Sequence, residues 1–486
     1  MTGSVITMLI KYFTSVLKFE HLWVFMPTLL FVLYVPQMVA GIFKFGDRPA
    51  YALVGIVVLG FAVYLLACRT LALIKFANRG QGTWHTKFLV PSRYAIWVIS
   101  VCYFTLIAYA LLTSQKVALW EALSGASADD IAFAREALFK NRLGWEKSLV
   151  YVNAICSSAL MPFAVALCYI EKRSYRHVLL VMFALSLLPS MEKVLILKAL
   201  LPLVILGLNG HFPRKRVIQT AAVAVVVIAG AFYFTKMGKV DYLSLNRITI
   251  DLLEGQKKNI SDQMNGDLPL VEEKRGKMSN GERHDSINEL DGRRGEYKVA
   301  EANIQRQLDY YLWVERYLLK YNIFGTGQLQ YVINRVFWIP YVTAYDWIGY
   351  FYEKLDGQYL LGKTSSLLAR VTGAAQYPME REVFKYQFGE SGPQTAAANA
   401  TFLVDAFVNF GWLGVAVYSA LFAALTWVVV VQGNPAMQAC YFYFAFQASM
   451  GGLTGVLFSN GMLFLICLAF FVRPNTTTST QPGHAQ

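Results

Sequence analysis

Apolar residues fall in long runs along most of the chain, at about 21–43, 50–68, 94–113, 148–170, 177–190, 194–208, 217–235 and 411–431, with two more packed into 438–472. An α-helix rises ~1.5 Å per residue, so ~20 apolar residues match a hydrocarbon core of ~30 Å, and these runs predict roughly ten transmembrane helices. Runs of this length exclude the short alternating strands of an outer-membrane barrel. The pattern predicts an all-α polytopic integral membrane protein. It has an amino-terminal bundle at 1–235 with about seven spans, a large polar segment at 236–400, transmembrane helices at 401–473 and a tail at 474–486. The opening MTGSVITMLIKYFTSVLKF lacks a small-residue cleavage site and reads as an interfacial helix rather than a removed signal peptide. No repeat of 20–50 residues is apparent.

The polar segment has internal structure. Residues 255–298 are charged, poor in aromatics and rich in Gly, Asn and Asp, which predicts a mobile insertion. From Ala300 the pattern turns helical: Leu308, Tyr311, Leu312, Glu315 and Leu319 share a face, and Gly325 and Gly327 stop it. RVFWIPYVTAYDWIGYFYEK, residues 335–354, sets Trp338, Tyr341, Tyr345 and Tyr352 at helical spacing with Pro340 in the first turn. Such a helix fits the aromatic belt of a membrane interface. Its rings could also stack on sugars while Arg335 grips phosphate oxygens. Earlier, LSLLPSMEKVLILKALLPLVIL (185–206) has two apolar arms of about 14 and 15 residues. They are short for full spans, so the turn would lie in a recess with Glu192, Lys193 and Lys198 within or near the bilayer. The pair could close on itself, or a lysine could meet a pyrophosphate.

Composition agrees with the pattern, with 56% hydrophobic residues, 15% charged and a mean hydropathy of +0.41. The net charge of +13 is not a nucleic-acid signal, because it is concentrated in short loops. Arg69, Lys75, Arg79, Lys87 and Arg93 share one acid-free loop, and EKRSYRH and HFPRKR are also basic, so these loops are expected on the cytoplasmic side. Residues 114–147 hold five basic and five acidic side chains, and 236–400 hold 21 of each, as expected of loops that are translocated. The six cysteines lie in or beside apolar runs without CxxC spacing, which predicts packing rather than disulfide or zinc roles.

Candidate chemistry centres on ANATFLVDAFVNFGWLGV, residues 398–415. Thr401, Asp405 and Asn409 stand at i, i+4 and i+8 and form one polar stripe running towards the bilayer, where a carboxylate is a functional candidate by default. Basic residues on the same side are Arg306, Arg316, Lys363, Arg370, Arg381 and Lys385; the acids are Asp346, Glu380, Glu382, Glu390 and Asp405. Motifs for P-loop ATP hydrolysis, Rossmann nucleotide binding, zinc proteolysis, serine hydrolysis and DxD metal-dependent sugar transfer are missing, so no cofactor and no metal are expected.

The order of a large polar segment, RVFWIPYVTAYDWIGYFY, and then NATFLVDAFVNFGWLGV at the mouth of a late helix resembles the Wzy-type O-antigen and exopolysaccharide repeat-unit polymerases. Arg316, ten residues and Gly327 also fit their RX10G pattern. The resemblance implies a GT-C-like, metal-independent glycosyltransferase of the bacterial inner membrane, with 236–400 as a periplasmic loop. It would polymerise undecaprenyl-pyrophosphate-linked oligosaccharide, with the bilayer, a chain-length regulator and a flippase as partners and no nucleic acid. Carried over, Arg335 would bind the pyrophosphate and Asp405 would accept a proton or orient an arginine. Arg316, Arg370, Lys193, Lys198, Trp338, Tyr341, Tyr345 and Asn409 would contact substrate. An O-antigen ligase of similar fold, and a polysaccharide or lipid exporter, are the alternatives.

Overall fold

A computed structural model of the protein describes residues 7–8, 11–12, 14–77, 90–190 apart from 125 and 127, 195–213, 215, 219, 242–275, 280–325, 328–388 and 397–473. Several predicted features lie outside these residues: the run 217–235 apart from residue 219, Glu192 and Lys193, Gly327, Glu390 and the tail 474–486. The chain divides into two units, Met1–Lys236 with Pro340–Gln486, and Met237–Ile339. The stretch 340–400 thus belongs with the helical bundle, whereas composition had grouped it with the polar segment.

The bundle is built from helices Leu22–Lys44, Arg48–Ala77, Ser92–Thr113, Gly144–Ile170, Arg176–Leu187, Leu195–Leu208, Ile339–Glu353, Phe402–Gln432, Pro435–Met450 and Met462–Phe471. Among the described residues, five helical stretches are long and apolar enough to cross a membrane: Phe19–Lys44, Arg48–Leu73, Ser92–Thr113, Gly144–Ile170 and Phe402–Gln432. The roughly ten spans predicted from hydropathy are not reached among the described residues. Arg176–Ser190, Lys198–Leu208 and Met462–Phe471 have 10–17 residues, about 15–25 Å against a core of ~30 Å. The run 438–472 shows why hydropathy overcounts: its first helix stops at Met450 before Gly451 and Gly452, a short π turn follows at Gly455–Ser459, and the last α-helix starts only at Met462 after Gly461 with φ 81°.

Long-range bonds sort the helix termini into two ends. At one end, Asn209 Oδ1 accepts from the Phe19 amide at 2.8 Å and its Nδ2 donates to the Leu17 carbonyl at 3.1 Å. Ser92 donates to Glu171. The two-residue pairing of Val90 and Pro91 with Val472 and Arg473 lies there too, the strand structure of the described residues. This end gathers residues of all three basic loops. At the other end, the buried Arg142 donates to the Ala110 carbonyl at 2.9 Å, to Thr113 Oγ1 at 2.8 Å and to Glu146 Oε2 at 3.2 Å, clamping the loop 114–143 to the bundle. That end also receives residues 355–388 and 397–401.

The helix Phe402–Gln432 packs most extensively on Arg48–Ala77. Small residues allow the close approach. A Cβ on Gly60 would meet Leu403 at 2.6 Å, and one on Gly55 would meet Trp412 at 2.9 Å. Tyr64, Thr426 and Tyr441 join the core by hydroxyl bonds of 3.1 and 2.5 Å.

The aromatic helix is buried in the bundle. Tyr341 is fully buried, its phenol seated where a Cβ of Gly41 would stand, 1.8 Å from the hydroxyl. Tyr345 stacks on Phe45 at 4.4 Å and donates to Asp47 Oδ2 at 2.5 Å. The pattern that suits a headgroup belt here fills a protein interior, because Gly41 opens a seat for a large ring.

In the second unit, helices Tyr242–Arg275 and Asn280–Tyr321 pair through Ile250, Leu253 and Leu308, with Ile304, Tyr311 and Leu312 against them. Arg247 pairs with Glu315 at 2.7 Å and Lys257 donates to Gln305 at 2.7 Å. These helices run through 255–275 and 280–298, where composition predicts a mobile insertion. Propagating a helix from a packed turn is easier than starting one, so the apolar pairing carries the polar turns with it.

Candidate functional site

The helix that carries Asp405 is interrupted at Gly411, whose φ of 64° and ψ of −153° are not helical. The interruption strips the carbonyls of Val408 and Asn409 of their usual partners three to four residues on. A loop supplies replacements: the Leu360 amide donates to Val408 O at 3.1 Å and the Leu361 amide to Asn409 O at 3.0 Å. The Gly362 amide donates to Asn409 Oδ1 at 2.9 Å. Three successive amides thus hold the loop to the kink and bring Thr364 over the preceding turn.

There Thr364 Oγ1 donates to Asp405 Oδ1 at 2.8 Å, and Asn409 Nδ2 lies 3.0 Å from the same oxygen and 2.8 Å from the Asp405 carbonyl. Asn409 Nδ2 also reaches Thr364 Oγ1 at 2.7 Å. Asp405 is 4% exposed and Asn409 1%. The second carboxylate oxygen faces Gly452, where a Cβ would come within 3.0 Å of it. The predicted stripe therefore divides: Asp405 and Asn409 act together, while Thr401 caps the helix, its carbonyl accepting from Val404 and Asp405 amides at 3.0 and 3.1 Å.

Asp405 and Gly452 line a cavity of about 360 Å³ together with Thr364, Glu380, Arg381 and the rings of Tyr151, Tyr377 and Phe458. The volume falls in the range of small-molecule sites, about 300–1,000 Å³. Glu380 opens the helix Met379–Phe388. In the amide orientation that satisfies both groups, Asn399 donates to its two carboxylate oxygens at 3.0 and 3.1 Å. Glu380 is exposed as a residue, but its carboxylate stands in the cavity wall. Burial of that carboxylate and the Asp405 charge push its pKa up to about 7, against the opposing pull of Lys140. Arg381 makes no ion pair among the described residues, so its charge is available to the cavity.

The other predicted residues are dispersed. Arg370, in the last turn of the helix Ser366–Val371, is exposed and does not line the cavity. Lys198 is 8% exposed within Leu195–Leu208. Lys193 and the side chain of Arg316 lie outside the described residues. Arg335 belongs to the second unit, exposed on the π turn Asn334–Trp338. In that unit Trp338 is buried and its indole donates to the Lys320 carbonyl at 2.8 Å. Trp338 and Tyr341 are fully buried, so neither presents an exposed ring face. Aromatic faces in the cavity come instead from Tyr151, Tyr377 and Phe458, and the polar partner from Thr364; each is distant in sequence from the stripe. Only Gly411 and Gly362, bracketing polar and aromatic residues, give a sign of the turn that joins them.

No family model, no curated protein and no solved structure matches the chain.

Proposed function

We propose that the protein is a metal-independent membrane glycosyltransferase that joins lipid-linked oligosaccharides, a repeat-unit polymerase acting on an undecaprenyl-pyrophosphate donor. The observation that carries this reading is the Asp405 carboxylate, one oxygen held by Thr364 and Asn409 and the other turned to a cavity that also holds Glu380 and Arg381. Sugar transfer without a metal needs a base for the attacking hydroxyl, an oriented acceptor and a fixed cation for the departing pyrophosphate.

In this reading the free oxygen of Asp405 accepts a hydrogen bond from an acceptor hydroxyl and fixes its direction. Glu380, whose pKa of about 7 suits a base at neutral pH, takes the proton as the sugar oxygen attacks the anomeric carbon. The bond from that carbon to the pyrophosphate oxygen breaks, and the negative charge that builds there is offset by Arg381. Tyr151, Tyr377 and Phe458 offer faces for sugar rings. The cavity lies at the end of the bundle opposite the basic loops, which by the positive-inside rule supports a periplasmic site in a bacterial inner membrane.

The deciding experiment is transfer between two lipid-linked saccharides by purified protein in detergent, where no gradient exists. Elongated lipid-linked product is expected from the wild type, with loss in Glu380→Gln and Arg381→Ala. Elongation that is absent in detergent, while saccharide crosses sealed vesicles, would establish an exporter instead. Transfer only to a lipid A core acceptor would establish a ligase.

A further inference from the structure

The basic end of the bundle contains a second cavity, of about 780 Å³, lined by Tyr169, Lys172, Arg176 and His211 with Gly210, Phe212 and Pro213. It sits where helices Gly144–Ile170 and Leu195–Leu208 end and Arg176–Leu187 begins, the level at which apolar helices leave the hydrocarbon. None of its lining residues is acidic. Glu171, the acid of this turn, is engaged elsewhere, accepting from Ser92 on one oxygen and pairing with Arg173 at 2.8 Å on the other. Burial lowers the His211 pKa, so the standing charge comes from Lys172 and Arg176. Arg176 lies 5.7 Å from the centre of the Tyr169 ring, which braces it.

Lys172 is unusual in its backbone. The helix ends in a Schellman turn, with Arg173 N donating to Cys168 O at 3.0 Å and Lys172 N to Tyr169 O at 3.2 Å. The left-handed position of that turn normally carries glycine, yet here it is Lys172 at φ 52°. A conformation that favours glycine is given to a side chain that lines the cavity. Beside it, an apolar groove of about 520 Å³ starts at Tyr175, next to Arg176, and continues along Trp97, Val101, Val178 and Met182, all four exposed.

We propose that this end holds one anionic membrane phospholipid, its phosphate between Lys172 and Arg176 and an acyl chain in the adjoining groove. Basic recesses between helices at a membrane surface recognise such headgroups by charge, and a groove for the chain distinguishes a lipid from free phosphate.

The test extracts full-length protein in mild detergent from vesicles of phosphatidylcholine and phosphatidylglycerol and weighs the lipid retained by native mass spectrometry. Wild type is expected to retain phosphatidylglycerol preferentially. Lys172→Gly with Arg176→Gln should lower that preference by roughly 30-fold, the usual increment for two cations at a lipid surface. Glycine suits φ 52°, so this variant should keep the wild-type unfolding temperature, which separates loss of binding from loss of fold. Equal retention of the two lipids by wild type, or an unchanged preference in the folded variant, overturns the proposal. Displacement of the lipid by millimolar inorganic phosphate would assign the cavity to free phosphate and likewise overturn it.

Discussion

Two carboxylates of the cavity differ in what surrounds them, and that difference sets their chemistry. Asp405 has one oxygen committed to Thr364 and Asn409, so its direction is fixed by the fold. Glu380 is held by an amide, not by a cation, and its pKa rises to about 7 from an ordinary 4.5 because burial and the neighbouring charge disfavour ionisation. A pKa raised in the folded state means that the native protein holds this proton more tightly than the unfolded chain does. The group's contribution to stability is therefore greatest below its ordinary pKa and declines as pH rises to about 7. Activity should run the other way, increasing through pH 7 as the base form accumulates; rates in Glu380→Gln should be low and lose this limb. A wild-type profile that is flat from pH 6 to 8 would remove Glu380 as the base. Gly452→Ala places a methyl 3.0 Å from Asp405 Oδ2, and transfer should drop about tenfold, equivalent to ~1.4 kcal/mol, with the unfolding temperature nearly unchanged.

Among the elements, the kinked helix is the one on which the site depends. Its first nine residues and the remainder would read as a single apolar span, and only the positive φ at Gly411 turns two carbonyls out to meet the loop. This positive-φ, extended-ψ conformation is essentially confined to glycine and costs another residue about 1–3 kcal/mol, and a Cβ here would also strike the Tyr359 ring at 2.9 Å. Gly411→Ala should therefore destabilise the protein by about 2–4 kcal/mol and release the loop that carries Thr364, which proteolysis within 355–377 would detect. Unchanged protease resistance together with unchanged unfolding would show that the three loop amides do not depend on the kink. The helix and the Asp405–Asn409 pair are legible in the sequence, since a spacing of four residues is set by helix geometry alone. Thr364 is not, because its partner lies 41 residues on and no local period links a loop to a helix that it meets only in three dimensions.

Across the molecule, charge and chemistry separate to opposite ends. Basic turns collect around Ser92, Glu171 and Asn209, while the cavity with Asp405 and Glu380 lies at the end reached by Tyr151, Thr364 and Gly452. In a background without the exposed Cys102 and Cys467, a cysteine replacing exposed Gln376 should react with a membrane-impermeant thiol reagent in cells whose outer membrane is permeable to it. One replacing exposed Lys215 should react only after the inner membrane is opened. Labelling of both without disruption would contradict the two-sided arrangement.

The sequence alone determined that the chain is helical and apolar enough for a membrane, which loops are basic, and that a carboxylate and an amide share one helix face. These follow from composition and from periods of a few residues, which every helix of that sequence expresses. Only the tertiary structure decided how many helices among the described residues are long enough to cross, that Tyr341 fills the seat left by Gly41, and that Glu380, Thr364 and Gly452 surround Asp405. Those outcomes depend on close packing between distant segments, where a missing Cβ or a freed carbonyl in one helix selects its neighbour in another.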